Sequence, residues 1–241
     1  MSLRTLDIET LGLPFGWRRG TGNWAEVKAA IAQAVPVQVI QETGSTQWQA
    51  ELPVDHPFQF GFPEFPDRVA RSAPQARVWI SPMQRRFDPA SSFPSGLPKV
   101  QWHPRVLWVG IGCDRGIPAS TIAQAIQSTF RTFHLAEGAI AGLSTLDRKA
   151  DETGLLEFCA DRELPLKFFS AEQLQRVPIP TPSQSVAAVV NTPSVAEAAA
   201  SLGAESGYLR IAKRIFRPDD RAKAVTIAIA QAEEEYRNTF P

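Results

Sequence analysis

Apolar and polar positions alternate in two different ways along the chain. In roughly the first hundred residues the periodic segments are short. Trp24, Val27, Ala30, Ile31 and Ala34 recur at helical spacing, with Asn23 placed to cap the first turn. Glu26 stands three residues after Asn23, close to a capping-box arrangement, and Pro36 ends the run. Val37 to Ile40 follows as a predicted strand, and Ala76 to Ile80 as another that stops at Pro82. Between Pro82 and Pro104 the pattern lapses, with Pro89, Pro94 and Pro98 set among Ser91, Ser92, Ser95 and Gly96. Each proline fixes φ and removes a donor, so this stretch reads as a linker or wrapping loop and not as a central strand.

From Arg105 onward strands and helices alternate. Val106 to Ile111 is a continuous apolar strand, and Ile122, Ile126, Phe130 and Phe133 stripe the helix after it. Ala139 to Leu143 predicts the next strand, Leu155, Phe158 and Cys159 a helix, and Leu166 to Phe169 a further strand. Ser170 to Gln173 and Ser194 to Glu197 both have capping-box spacing, the second opening an alanine-rich helix that stops near Gly203. Val225 to Ala230 supplies a last β-branched strand. The expected fold is therefore α/β in two domains. A small N-terminal α/β unit covers residues 1–85, a Pro-rich linker 86–103, and a larger C-terminal three-layer α/β domain 104–241.

Composition narrows the functional classes. The 25 Lys and Arg are balanced by 25 Asp and Glu, so no global field gathers nucleic acid or an anionic membrane. A local cationic pocket remains compatible with that balance. Cys113 and Cys159 lie far apart, which suggests neither a disulfide framework nor a zinc site, and no metal or cofactor is expected. The chain opens without the charged and apolar regions of a signal peptide. No apolar run approaches the roughly 20 residues that span a bilayer. The expectation is a reducing, cytoplasmic protein. Met1-Ser2-Leu3 fits a cloning remnant, so the natural start is expected elsewhere.

Two connections carry candidate chemistry. Val109-Gly110-Ile111-Gly112-Cys113-Asp114-Arg115-Gly116 links the first strand of the second half to its first helix. Its glycines permit positive φ and close backbone approach, and its amides, with a helix N-terminus behind them, suit an anion. Arg115 adds a fork for a carboxylate or phosphate. The spacing is G-x-G-x-x-x-G, which is neither a dinucleotide fingerprint nor a P-loop. A tight turn whose glycines serve only packing explains it equally well. Cys113 gains a lowered pKa if it lies at the helix N-terminus, but free cysteines are commonly buried small hydrophobes, and that reading is preferred. The second connection, Leu143 to Leu155, holds Ser144, Lys149, Asp151 and Glu152. The carboxylates are favoured at the start of a helix, whereas Lys149 opposes the local dipole and points to a ligand or a fixed ion pair.

These residues resemble the successive motifs of the CbiG/CobE family. The resemblance runs through Val109 to Cys113 with Arg115-Gly116, Ser144 to Leu155, Phe169 to Leu174, Ser194 to Ala199 and the closing strand Val225 to Ala230. Asp114 departs from it, standing where the family commonly carries a second arginine. Residues 4–82 are more loosely similar to the central segment of CbiG, through Gly22-Asn23-Trp24 and the helix and strand that follow. The separate amino-terminal domain of full-length members has no counterpart in this reading.

The resemblance implies a role in cobalamin biosynthesis. CbiG is a cobalt-precorrin-5A hydrolase that opens a ring-A lactone and releases acetaldehyde. CobE, its relative in the aerobic route, consists essentially of the C-terminal domain. The implied ligand is a cobalt-precorrin, a flat macrocycle fringed by carboxylates, with other enzymes of the pathway as further partners. Gly110, Gly112, Cys113, Arg115, Gly116, Ser144 and Lys149 are the expected substrate-binding residues. Glu152 is the expected catalytic base, with the glycine-turn amides holding the oxyanion. Glu197 is a weaker candidate, because its capping box already accounts for it. Three alternatives follow: a CbiG-type hydrolase, a CobE-like non-catalytic module that binds corrinoid intermediates, and an unrelated nucleotide-binding α/β protein.

Overall fold

A computed structural model describes residues 7–61, 73–85, 96–178, 194–205, 208–218 and 223–237. The chain divides into two compact units, Met1–Arg105 with Glu234–Pro241, and Val106–Glu233.

The first unit runs β1 (Arg18–Gly22), α1 (Trp24–Ala32), β2 (Val37–Gln41), α2 (Gln47–Ala50), β3 (Phe58–Phe60), β4 (Ala76–Ile80) and β5 (Lys99–His103). These strands form one sheet in the order β1-β5-β4-β2-β3. β1 is antiparallel to β5 and the remaining pairs are parallel. One face carries the core: Val37, Val39, Val78, Ile80, Val100 and Trp102, clustered with Val27 of α1. The α1 stripe is partly as expected, with Val27 and Ala30 buried and Trp24 and Ile31 half-buried. Ala34 lies beyond the helix with φ 53°, and the Asn23 side chain makes no capping hydrogen bond.

The expected linker is corrected by β5, which is paired on both sides. Pro98 and Pro104 bracket this strand without interrupting it. Pro98 lacks a donor, but its carbonyl still accepts from Arg77 N at 2.9 Å. Pro89 and Pro94 lie outside the described residues. The reading of 104–241 as one domain also changes at its end. Glu235 accepts from Ser45 N at 2.7 Å, and Tyr236 N donates to the Arg105 carbonyl, so this tail belongs to the first unit.

The second unit runs β6 (Leu107–Cys113), α3 (Ala119–Thr132), β7 (Ile140–Leu146), α4 (Thr153–Asp161), β8 (Leu166–Phe169), α5 (Ala171–Gln175), α6 (Val195–Gly203), β9 (Tyr208–Phe216) and β10 (Val225–Gln231). Its sheet has the order β8-β7-β6-β10-β9, with β6, β7 and β8 parallel and β10 antiparallel to both neighbours. β7 is buried throughout, as expected of a strand covered on both faces. α6 packs on one face against β6, β7 and β10, and α3 and α4 pack on each other and bury Ile122, Ile126, Phe130 and Phe158. Gly110 permits the α6 contact, since a Cβ there would overlap the Ala196 carbonyl.

The two capping boxes part company. Ser170 and Gln173 form theirs reciprocally at α5. Ser194 makes no side-chain cap, and Glu197 is fully buried with Oε1 accepting from Lys213 N at 2.9 Å. Here a tertiary bond to β9 takes the carboxylate that a local cap would use.

Candidate functional site

The parallel strands β6 and β7 end at the same edge of the sheet, where ligands of open α/β sheets characteristically bind. β6 leads through Asp114-Arg115-Gly116 into α3, and β7 leads through a 3-10 turn, Asp147–Lys149, into α4. Gly116 turns the chain with φ 67°, a conformation that favours glycine.

Glu152 joins the two connections. Its side chain is only 3% exposed, and it stands at the N-cap position of α4. Oε1 accepts from Gly116 N at 2.6 Å and from Ile117 N at 3.1 Å. Oε2 lies 3.6 Å from Lys149 Nζ and 4.0 Å from Arg115 Nη1. This corrects the expected division of labour. The turn amides read as free for an oxyanion already hold Glu152, and the carboxylate read as a base is already engaged by them. Lys149, whose position against the dipole called for a partner, has it in this buried carboxylate.

Arg115 faces outward, with 59% of its side chain exposed. It pairs with the exposed Asp151 and donates to the Arg148 carbonyl at 2.6 Å. The hydrogen bond to Asp151 raises the guanidinium pKa and lowers that of the Asp151 carboxyl. Asp114 accepts from Ala224 N at 2.8 Å, which fastens the turn to the start of β10. Lys223 Nζ donates to the carbonyls of Arg115 at 2.5 Å and Gly116 at 3.2 Å. Lys223 was invisible to the sequence reading, because only the pairing of β10 with β6 brings it here. Asp114 was legible as a departure from the motif, but its backbone partner was not.

The other expected residues divide by position. Cys113 ends β6 half-buried, and burial pushes its thiol up to about 11 against the weaker downward pull of Lys149. It is a protonated thiol at neutral pH, not an activated nucleophile. Gly112 is open, since an added Cβ would meet only Thr226 at 3.7 Å. Gly110 and Ser144 lie under α6, where the Ser144 hydroxyl donates to the Ala199 carbonyl at 2.8 Å. Arg115, Gly116, Lys149 and Glu152 therefore form one cluster, while Gly110 and Ser144 are committed to packing. Among the described residues no three His, Cys, Asp or Glu side chains gather to hold a metal ion, and no helix is long and apolar enough to cross a membrane.

Fold and site define a two-unit mixed α/β protein with an arginine fork presented on a glycine turn, at the carboxyl ends of parallel strands. Residues 107–230 match the family described as Cobalamin synthesis G C-terminus, and residues 7–104 match the Cobalamin biosynthesis central region. The chain belongs to this cobalamin biosynthesis G (CbiG) family. It is 25% identical over 230 residues to a cobalt-precorrin-5A hydrolase of Priestia megaterium, covering 94% of this chain and 58% of that protein. It is 27% identical over 130 residues to protein CobE of a Sinorhizobium species, covering 53% of this chain and 84% of that protein. The crystal structure of a CobE from the cobalamin biosynthetic pathway is similar at 30% identity and a TM-score of 0.46, over 52% of this chain and 89% of that one.

Proposed function

We propose that this chain acts in cobalamin biosynthesis on cobalt-precorrin-5A, at the ring-A lactone-opening step that releases acetaldehyde. The observation that carries the reading is the Arg115 fork at the carboxyl edge of β6 and β7, in a chain of this family. Its pair with Asp151 is exposed on both sides, and such pairs contribute little, so a substrate carboxylate can replace Asp151 at small cost. Lys223, which donates to two neutral carbonyls of the turn, keeps a positive charge beside the fork after that exchange. Ile215, exposed on β9 and in register with Thr226 and through it with Gly112, offers apolar surface to a flat ring.

A second reading is favoured by Glu152. Because its carboxylate is buried and bound, the cluster offers no free base, which suits a CobE-like module that binds the intermediate without turning it over. The test is acetaldehyde release from cobalt-precorrin-5A. It is run with the chain alone and with the remaining part of a full-length relative supplied in trans. Release in either arm supports hydrolysis, and tight binding without release in both supports the module. Absence of corrinoid binding contradicts both.

A further inference from the structure

In the first unit the side chains that alternate away from the core form rungs across the sheet. Gln38, Arg77 and Lys99 are in register on β2, β4 and β5, and Ile40, Trp79 and Gln101 form a neighbouring rung. Gln38 Nε2 donates to the Gly61 carbonyl at 3.1 Å, which turns its Oε1 toward Arg77 Nε at 2.8 Å. The Arg77 guanidinium lies 5.9 Å from the centroid of the Trp79 ring, and that of Arg85 lies 3.7 Å from the same centroid. Arg85 is neutralised by an ion pair with Glu42. Its Nε is buried without a hydrogen-bond partner among the described residues.

Arg77 differs from its neighbour. It is half-buried, yet no carboxylate pairs with it among the described residues, and its two Nη groups make no hydrogen bond there. Burial lowers its pKa, with no anion among the described residues acting in the opposite direction. Holding a guanidinium partly out of water without a counter-charge is unfavourable, and such a group is retained where it meets an anion. Its Nε is fixed by Gln38 and its flank lies near an indole, so the free edge is a preorganised bidentate fork.

We propose that Arg77, oriented by Gln38 and flanked by Trp79, is a carboxylate-binding site of the first unit, distinct from the glycine turn of the second. Its ligand is a small polycarboxylate that places one carboxylate on the Nη fork. That carboxylate can belong to a corrinoid or to a free organic acid, and the two sources are separable by experiment.

The test is thermal unfolding and titration of the full chain with citrate and, separately, cobyrinic acid. Wild type is compared with Arg77→Met, which keeps the apolar stem, and Arg77→Lys, which keeps the charge without the fork. At least one acid raises the wild-type midpoint and binds about tenfold or more weakly to either variant. General salting effects act on all three proteins alike. Without ligand, Arg77→Met melts no lower than wild type, since an uncompensated charge has been removed. A loss confined to citrate identifies a free acid as the source, and a loss confined to cobyrinic acid identifies the corrinoid. Equal affinities in all three proteins overturn the proposal, as does failure of both acids to bind wild type, or a ligand-free Arg77→Met that melts lower. Cobyrinic acid binding that survives Arg77→Met but is lost in Arg115→Ala, with citrate affinity no weaker in the Arg77 variants than in wild type, defeats this inference and leaves the proposed function standing.

Discussion

The glycine turn of the second unit and one sheet face of the first treat their polar groups in opposite ways. In the second unit the charged side chains of the glycine turn are answered from within: Glu152 takes two amides and Lys149, Asp114 takes Ala224 N, and Lys223 takes two carbonyls. In the first unit one sheet face leaves polar atoms unmet among the described residues. They are the Nη groups of Arg77, Nε of Arg85, and Nε2 of the buried His103. The contrast separates two kinds of recognition surface. A turn braced by its own charges presents one exchangeable fork, whereas the unbraced face holds one cation, Arg77, at a cost in stability until an anion arrives.

The bracing of the second unit breaks most severely at Gly110. Gly110→Val forces α6 off the sheet and costs about 3 kcal/mol or more, read as a lowered urea midpoint. Next comes Glu152→Ala, which orphans the Gly116 and Ile117 amides and leaves Lys149 without its carboxylate. A loss of about 2 to 3 kcal/mol is expected, with Glu152→Gln costing less because it still accepts from the amides.

The units also differ in their response to pH. Burial raises the thiols of Cys113 to about 11 and of Cys159 to about 12, from an ordinary value of 9.0. A raised thiol stabilises the fold fully below the unfolded value, and that contribution is lost as pH rises from 9 toward the folded values. Cys113 alone accounts for up to about 2 kcal/mol of this loss, so Cys113→Ala should flatten the alkaline limb of the unfolding profile. His103 acts in the other direction. Burial lowers its pKa below 6.5, so the unfolded chain takes up the proton more readily and stability falls as pH drops below 6.5. His103→Gln should remove that acid dependence from the first unit. The smallest effect is expected at Asp151→Asn, whose exposed pair with Arg115 is screened by solvent and salt, so the unfolding midpoint should barely move in a salt titration.

Strands with a strong apolar pattern were legible in the sequence: β2, β4, β6, β8 and β10 fall where alternation or continuous burial placed them. Four others were not. β1 reads Arg-Arg-Gly-Thr-Gly at a sheet edge, β3 has only three residues, and β5 is framed by prolines. β9 is an edge strand whose pairing with β10 slips its register twice, which blurs its period. The candidate site was legible as motifs but not as bonds. Glu152 reaches Gly116 across 36 residues, and Lys223 reaches Arg115 across 108, distances at which local spacing carries no geometry. Arg77 gave no signal either, because an unmet charge is visible only once its neighbours are placed.

The most direct test of the braced turn as a corrinoid site is calorimetric titration of the full chain with cobyrinic acid, wild type against Arg115→Ala. Arg115 is exposed and its pair contributes little to the fold, so both proteins should unfold at similar midpoints. The predicted result is saturable binding by wild type and an affinity about tenfold or more weaker in the variant. Equal affinities, or no binding by a folded wild type, would contradict the assignment.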